Sequence, residues 1–203
     1  MTRGMLAEHL EQAGFIVFTA ETAASARQLC EVEDPDGVVL DIDLGFGPTG
    51  FDLADSLRID RPDLGILFLT NLPDPRFAGR ESHSMPAGIG YLRKENLVQR
   101  GLLVEALDAV LRGRVGSEHR NDKDLDRPLR MLSGSQVSVL RMVALGLTNQ
   151  QISDSRGTSP RAVQGIISRA LAAIGLPEDG EGAGRVVAAR QYILAAGFPL
   201  NDR

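Results

Sequence analysis

The chain has one cysteine among 203 residues, Cys30, no tryptophan, and only two tyrosines and seven phenylalanines. A lone thiol closes no internal disulfide and builds no cysteine-rich metal site; its apolar helical setting marks Cys30 as a core residue. The three histidines, His9, His83 and His119, are too scattered for a metal-ligand motif and read as surface residues. Separated phenylalanines leave no stacking platform for single-stranded nucleic acid. No apolar run approaches the roughly 18 residues that a membrane span needs, and nothing at Met1 reads as a secretory leader. A cytoplasmic protein without a membrane partner is expected.

What is present is enough apolar residue, 43%, to bury a core. Charge is unevenly placed. Residues 1–113 hold 18 Asp/Glu against 10 Lys/Arg, a net −8, and the remainder holds 9 against 12, a net +3. Two parts with different partners follow from that asymmetry.

The first part alternates helix and strand patterns. "MLAEHLEQAG" reads as a helix, "FIVFTA" as a strand, "ETAASARQLCEVE" as a helix, "GVVLD" as a buried strand, and "GFDLADSLRID" as a helix that ends before Pro62. "GILFLT" and "IGYLRK" are further strands and "RGLLVEALDAVLRG" a last helix. This alternation predicts an α/β unit with a parallel sheet and helices on both faces over residues 1–113. Residues 114–130, polar and without apolar periodicity, read as a linker. Residues 131–203 carry helical signals only, predicting an all-α domain.

Asp41 ends one strand, Thr70 the next and Lys94 the one after. In a doubly wound sheet, chemistry collects beyond these carboxyl ends. A carboxylate nucleophile with a hydroxyl and an ammonium to hold oxygens suits phosphoryl transfer. With Gly50 in the loop after "VVLDIDL" and Tyr91 in "GYLRKE", the stretch up to Gly113 resembles the receiver domain of bacterial two-component response regulators. The resemblance implies a flavodoxin-like fold, with Asp41 as phosphoacceptor, Thr70 as switch hydroxyl, Tyr91 as aromatic rotor and Lys94 as phosphate partner. It also implies a sensor histidine kinase as partner. Mg²⁺ would be held by Asp41, the backbone carbonyl of Asp43 and an acidic pair that ends the family's first strand. That strand and its acidic pair have no counterpart here, since the sequence opens inside the helix that should follow them. Weak or absent phosphotransfer is therefore expected. In the order 2-1-3-4-5 the missing strand is internal, so "FIVFTA" must pair with "GVVLD", leave the sheet, or pair with another chain.

The last part, "LSGSQVSVLRMVALGLTNQQISDSRGTSPRAVQGIISRALAAIGL" and beyond, resembles the LuxR/NarL-type helix-turn-helix domain. Thr148 and Ser159 fit helix N-caps, Pro160 a first helical position, and Gly146 a helix end. The family would place residues 160–173 in the major groove of double-stranded DNA. Contacts are then expected from Thr148, Ser159, Arg161, Gln164, Gly165, Ser168 and Arg169. A homodimer through Val186, Val187, Gln191 and Leu194 of the last helix is also implied. Gln164 stands where the family usually has a basic residue, and Arg156 where it buries a leucine.

The expected function is a DNA-binding transcription regulator of a two-component phosphorelay, and not an enzyme. The alternative is a regulator of the same architecture that works without phosphorylation. "DIDLG" also resembles the Asp-x-Asp motif of haloacid-dehalogenase-type phosphatases, in which Asp41 would be the nucleophile and Asp43 the general acid/base.

Overall fold

The structure, a computed structural model, describes residues 3–44, 48–80, 85–99, 101–176 and 183–199. The chain divides into two compact units: Met1–Asn71 with Pro86–Asn121, and Leu72–Met85 with Asp122–Asn201.

The first unit holds three strands, β1 (Gly37–Leu40), β2 (Gly65–Thr70) and β3 (Gly90–Arg93), all parallel in the order β1-β2-β3. β2 is bonded on both edges and all six of its residues are buried, which is why it reads as an unbroken apolar run. Its side chains alternate between the faces. Leu67 and Leu69 join Leu92 and Leu10 of α1 (Arg3–Gln12). Leu103, Ala106, Leu107 and Val110 of α4 (Leu102–Leu111) complete that cluster. Phe68 turns to the other face, where its ring meets Phe51 of α3 (Gly50–Asp60) edge-on at 4.7 Å. α2 (Ala23–Glu33) packs beside α3. Glycines at the strand starts let α4 come close: a Cβ on Gly65 would lie 3.0 Å from Val110, and one on Gly37 2.8 Å from Leu111.

Cys30 of α2 is buried, as expected, and burial pushes its thiol pKa up; nearby Arg61 lowers it and Glu31 raises it.

Three expectations are corrected. Residues 15–20, read as a strand, form none and belong to no sheet, which is the second of the three outcomes open to this stretch. Phe15 and Val17 pack against the cluster under α4, while Ile16 is 87% and Phe18 47% exposed. The period-2 pattern is there, yet the stretch joins no ladder, and β1 pairs with β2 alone among the described strands. Residues 114–130 are not solvated throughout: His119, Arg120, Asn121 and Asp122 are buried. Arg120 bridges to Tyr91, and the Asn121 carboxamide oxygen accepts from Arg93 N at 3.0 Å and from Asn96 Nδ2 at 2.9 Å. These polar residues cover the free edge of β3, a use for which polarity gives no sign. His119 is buried, not on the surface, and its Nδ1 accepts from Gly116 N.

The second unit contains α5 (Gly134–Ala144), α6 (Asn149–Arg156), α7 (Pro160–Ala173) and α8 (Ala183–Ala196). Its core includes Leu132, Val137, Leu140, Ile152, Val163, Ile167, Leu171 and Tyr192. Phe77, from the connection between β2 and β3, belongs to the same core. That connection carries a short 3-10 turn, Pro75–Ala78, and the Phe77 and Tyr192 rings stand 5.4 Å apart. Tyr192 Oη donates to Phe77 O at 3.4 Å. Beside them Asp74, fully buried, accepts from Arg76 at 2.8 and 2.5 Å and from Arg127 at 3.1 Å. Arg76 also donates to the carbonyl of Leu132. Division by sequence pattern assigns Leu72–Met85 to the first part; contact assigns it to the second, where Phe77 is buried in the helical core and Leu72 packs against it.

Breaking a buried ion pair from one side strands a charge. Arg76→Ala is expected to destabilise the second unit by about 3–5 kcal/mol. Urea unfolding followed by hydrogen exchange in α5 and α8 checks this.

Candidate phosphoacceptor site and helix-turn-helix

Parallel register brings the strand ends of the first unit together. Leu40 pairs with Phe68, and Thr70 with Arg93. Asp41 therefore follows β1 on the side where Thr70 ends β2 and Lys94 follows β3. Lys94 Nζ forms an ion pair with Asp41 Oδ2, the two side chains being 28% and 30% exposed. Asp41 Oδ1 accepts from Asp43 N at 3.2 Å, which fixes the carboxylate from its own loop. Thr70 is 1% exposed and Tyr91 fully buried, so the expected rotor is turned inward. Asp43 is exposed.

Gly50 explains how the loop returns. Its N–H donates to Ile42 O at 2.9 Å, and a Cβ there would collide with the carbonyl oxygen of Asp41. Thr49 caps α3 at this point: its hydroxyl accepts from Asp52 N at 3.2 Å, and Asp52 Oδ2 accepts from Thr49 N at 2.8 Å. The capped helix and the missing side chain together press α3 against the Asp41 backbone. Residues 45–47 of the same loop lie outside the described residues.

The Mg²⁺ implied by the family resemblance fits these residues poorly. Asp41 supplies one carboxylate, and Lys94 engages it. Among the described residues no group of three or more His, Cys, Asp or Glu is arranged to hold a metal ion. A hard cation seeks oxygen ligands in near-octahedral number, and one paired carboxylate offers little toward that. The glutamate of "RKE", Glu95, pairs with Arg93 at 2.5 Å, and Asp108 with Arg112 at 2.7 Å. These acids, on which a phosphatase site would draw, already serve as local ion-pair partners.

In the second unit the turns are built as the sequence predicts. Gly146, at φ 83°, follows α5. Thr148 caps α6, its hydroxyl accepting from Gln151 N and the Gln151 side chain accepting from Thr148 N. Gly157, at φ 61°, ends α6; Ser159 accepts from Ala162 N at 3.2 Å, and Pro160 is the first residue of α7. A helix, a three-residue turn and a second helix with an independent cap result. Arg161, Gln164 and Arg169 of α7 are exposed, Gly165 and Ser168 half-buried. Ser168 Oγ donates to Gln164 O. Thr148 and Ser159 spend their hydroxyls on capping. Arg156 donates to Ser138 Oγ at 3.2 Å and Ser135 Oγ at 2.8 Å, so its stem lies along α5 while its head stays polar.

On α8, Val186 and Leu194 are 70% and 68% exposed, Gln191 is half-buried, and Val187 packs against the core of its own unit. Sequence reasoning missed Asn149 as a working residue. Its side chain stands between Arg185 of α8 and Gln164 of α7. Asn149 is the first residue after a cap, a signal that predicts a helix start and hides any second use.

No family model matches the chain. Among curated proteins, the DNA-binding transcriptional activator DevR/DosR of Mycobacterium tuberculosis is 29% identical over 172 residues, covering 79% of this chain and 76% of that protein. The virulence-factor transcription regulator BvgA of Bordetella pertussis is 27% identical over 175 residues, 80% of each. Over about four fifths of its length the chain is similar to these DNA-binding transcription regulators. Solved structures agree on the fold. The response regulator RcsB in complex with DNA matches 95% of this chain and 92% of its own at TM-score 0.55 and 20% identity. RcsB of Salmonella enterica serovar Typhimurium, bound to promoter rprA with the phosphomimetic BeF3⁻, matches at TM-score 0.57 and 16% identity, covering 93% and 91%. This response-regulator architecture is a receiver-like α/β unit joined to a helix-turn-helix unit. Among the described residues no helix is long and apolar enough to cross a membrane.

Two substitutions test the site. Gly50→Ala is expected to cost about 1–3 kcal/mol, as overpacking does, seen as a lower urea midpoint of the first unit. Ser159→Ala removes the cap of α7 and is expected to cost about 1 kcal/mol, checked in the same way on the second unit.

Proposed function

We propose that this chain is a DNA-binding transcription regulator, in which the α/β unit receives a signal and the helix-turn-helix unit reads double-stranded DNA. The observation that carries this reading is α7 itself. It is an independently capped helix presenting Arg161, Gln164 and Arg169 on its exposed side, set after a short turn from α6. The positive helix N-terminus and two arginines suit phosphate, and Gln164 suits a base edge. Thr148, Ser159, Gly165 and Ser168 are the further DNA contacts in this reading. Binding as a homodimer through the exposed Val186 and Leu194 would offset the small number of basic residues. A cytoplasmic setting and a non-enzymatic role belong to this reading.

Asp41 is the phosphoacceptor in this proposal, with a sensor histidine kinase as donor. A carboxylate oxygen attacks phosphorus, the bond to the donor breaks, and Lys94 holds an oxygen of the transferred group. The hydroxyl of Thr70 then answers the new charge, and Tyr91 is the side chain able to turn with it. A second reading is favoured by the poor metal fit and by the Asp41–Lys94 pair, which already satisfies the carboxylate. In that reading the α/β unit works without phosphorylation.

Intact mass after incubation with acetyl phosphate, with and without Mg²⁺ and beside Asp41→Asn, separates the two. A phosphoryl gain lost in Asp41→Asn supports the first; no gain under either condition supports the second. The DNA reading has its own test. Full-length protein should retain duplex DNA with an affinity that falls as salt rises, and Arg161→Ala or Arg169→Ala should each lower the log–log slope by about 0.9. Salt-independent retention, or none, would overturn it.

A further inference from the structure

α7 carries a glycine in its interior that the fold itself does not require. Gly165 is the sixth of the fourteen residues of this helix. Glycine weakens a helix interior more than any residue except proline, because its bare backbone has the most freedom to lose. Elsewhere in the chain the reason for a glycine is visible. A Cβ on Gly50 would collide with the carbonyl oxygen of Asp41, and one on Gly90 would lie 2.6 Å from Leu67 Cδ1. Gly146 and Gly157 take φ of 83° and 61°, which favours glycine in another way. Neither reason applies to Gly165. Its φ is not positive, and a Cβ there would meet nothing closer than Arg169 Nη1 at 3.4 Å, the far end of a side chain that can move aside.

The place of Gly165 on the helix supplies a reason outside the fold. At about 100° per residue, Arg161, Gly165, Ser168 and Ala172 fall within about 60° of one another. Val163, Ile167 and Ala170 occupy the opposite side and are buried. Arg161 stands one turn before Gly165 and Arg169 one turn after. Both arginines are exposed and have no hydrogen-bond or ion-pair partner among the described residues. Two cations suited to phosphate thus flank a space the size of one methyl group. A bare Cα has no donor or acceptor to offer a base, so what it reads is shape. Of the base edges in the major groove, only that of thymine carries a projecting apolar group, the C5-methyl.

We propose that Gly165 is a specificity-determining residue, admitting the C5-methyl of a thymine against the backbone of α7 so that the chain selects an A·T pair at that position. The helix stability forgone at Gly165 is linked in this way to recognition. The proposal rests on the DNA-reading role of α7 and adds the base that one of its positions reads.

The test compares the full-length protein with Gly165→Ala. Wild type first selects duplexes from a randomised double-stranded pool, and each thymine of the selected site is then replaced singly by deoxyuridine, which lacks only the methyl. One replacement should weaken wild-type binding about fourfold, as loss of one buried methyl-sized group does. On the thymine duplex Gly165→Ala should also bind about fourfold more weakly or worse, because its Cβ takes the space of the methyl. On the duplex with deoxyuridine at that same position, the alanine methyl fills the gap, and Gly165→Ala should bind about as tightly as wild type binds thymine. Two changes that each weaken binding should therefore cancel when combined. Urea unfolding should give Gly165→Ala a higher midpoint for the second unit, so that weaker binding is not a sign of misfolding.

If Gly165→Ala loses equally on the thymine and deoxyuridine duplexes, the glycine serves only as clearance, and the proposal fails while the DNA reading stands. It fails in the same way if no thymine replacement weakens wild-type binding, or if Gly165→Ala matches wild type on the thymine duplex. A lower urea midpoint would mean that the fold does need this glycine and would overturn the proposal as well. Retention of no duplex by wild type overturns the proposal together with the reading on which it rests.

Discussion

Hydrogen bonding along both edges of β2 is the constraint on which the receiver-like unit depends. It sets Leu40 opposite Phe68 and Thr70 opposite Arg93, and that register places three strand ends on one line. A shift of one residue would turn Leu67 and Leu69 to the wrong face and separate Lys94 from Asp41. The glycines at the strand starts work for the same end, because they let α4 press on the sheet where a side chain would hold it off. Two layers of helices then exclude water from β2, whose backbone bonds carry the unit.

The second unit depends on burial of a different kind. Fourteen residues of the β2–β3 connection, Leu72–Met85, are spent on it. Phe77 fills the space beside Tyr192, and Asp74 is satisfied by two arginines in a place where an unpaired carboxylate would be costly. The second unit is therefore discontinuous in sequence, although its helix-turn-helix is continuous.

Much of the candidate site was legible because it is local. Thr148, Ser159, Pro160 and Gly146 act within four residues of themselves, and α7 spans the residues that its signals predict. Asp41, Thr70 and Lys94 were legible for another reason: each ends a strand, and parallel strands bring their ends together. The parts that were not legible depend on partners far along the chain. "FIVFTA" carries a faithful strand pattern, but a strand exists only where an edge receives it. "EHRNDK" looks like solvent-facing chain, yet Asn121 and Arg120 cover an edge of β3.

By itself the sequence determined the helices with their caps, the buried strands, the two-part division of charge and the residue types at the strand ends. These follow from periodicity and from bonds closed within a turn. Only the tertiary structure decided that Phe77 belongs to the helical core, that Lys94 pairs with Asp41, and that Asn149 donates to Gln164. Those contacts span 115, 53 and 15 residues, and no local preference chooses among partners at such separations. What chooses is the packing of whole elements, which brings one side chain within reach and leaves its competitors outside.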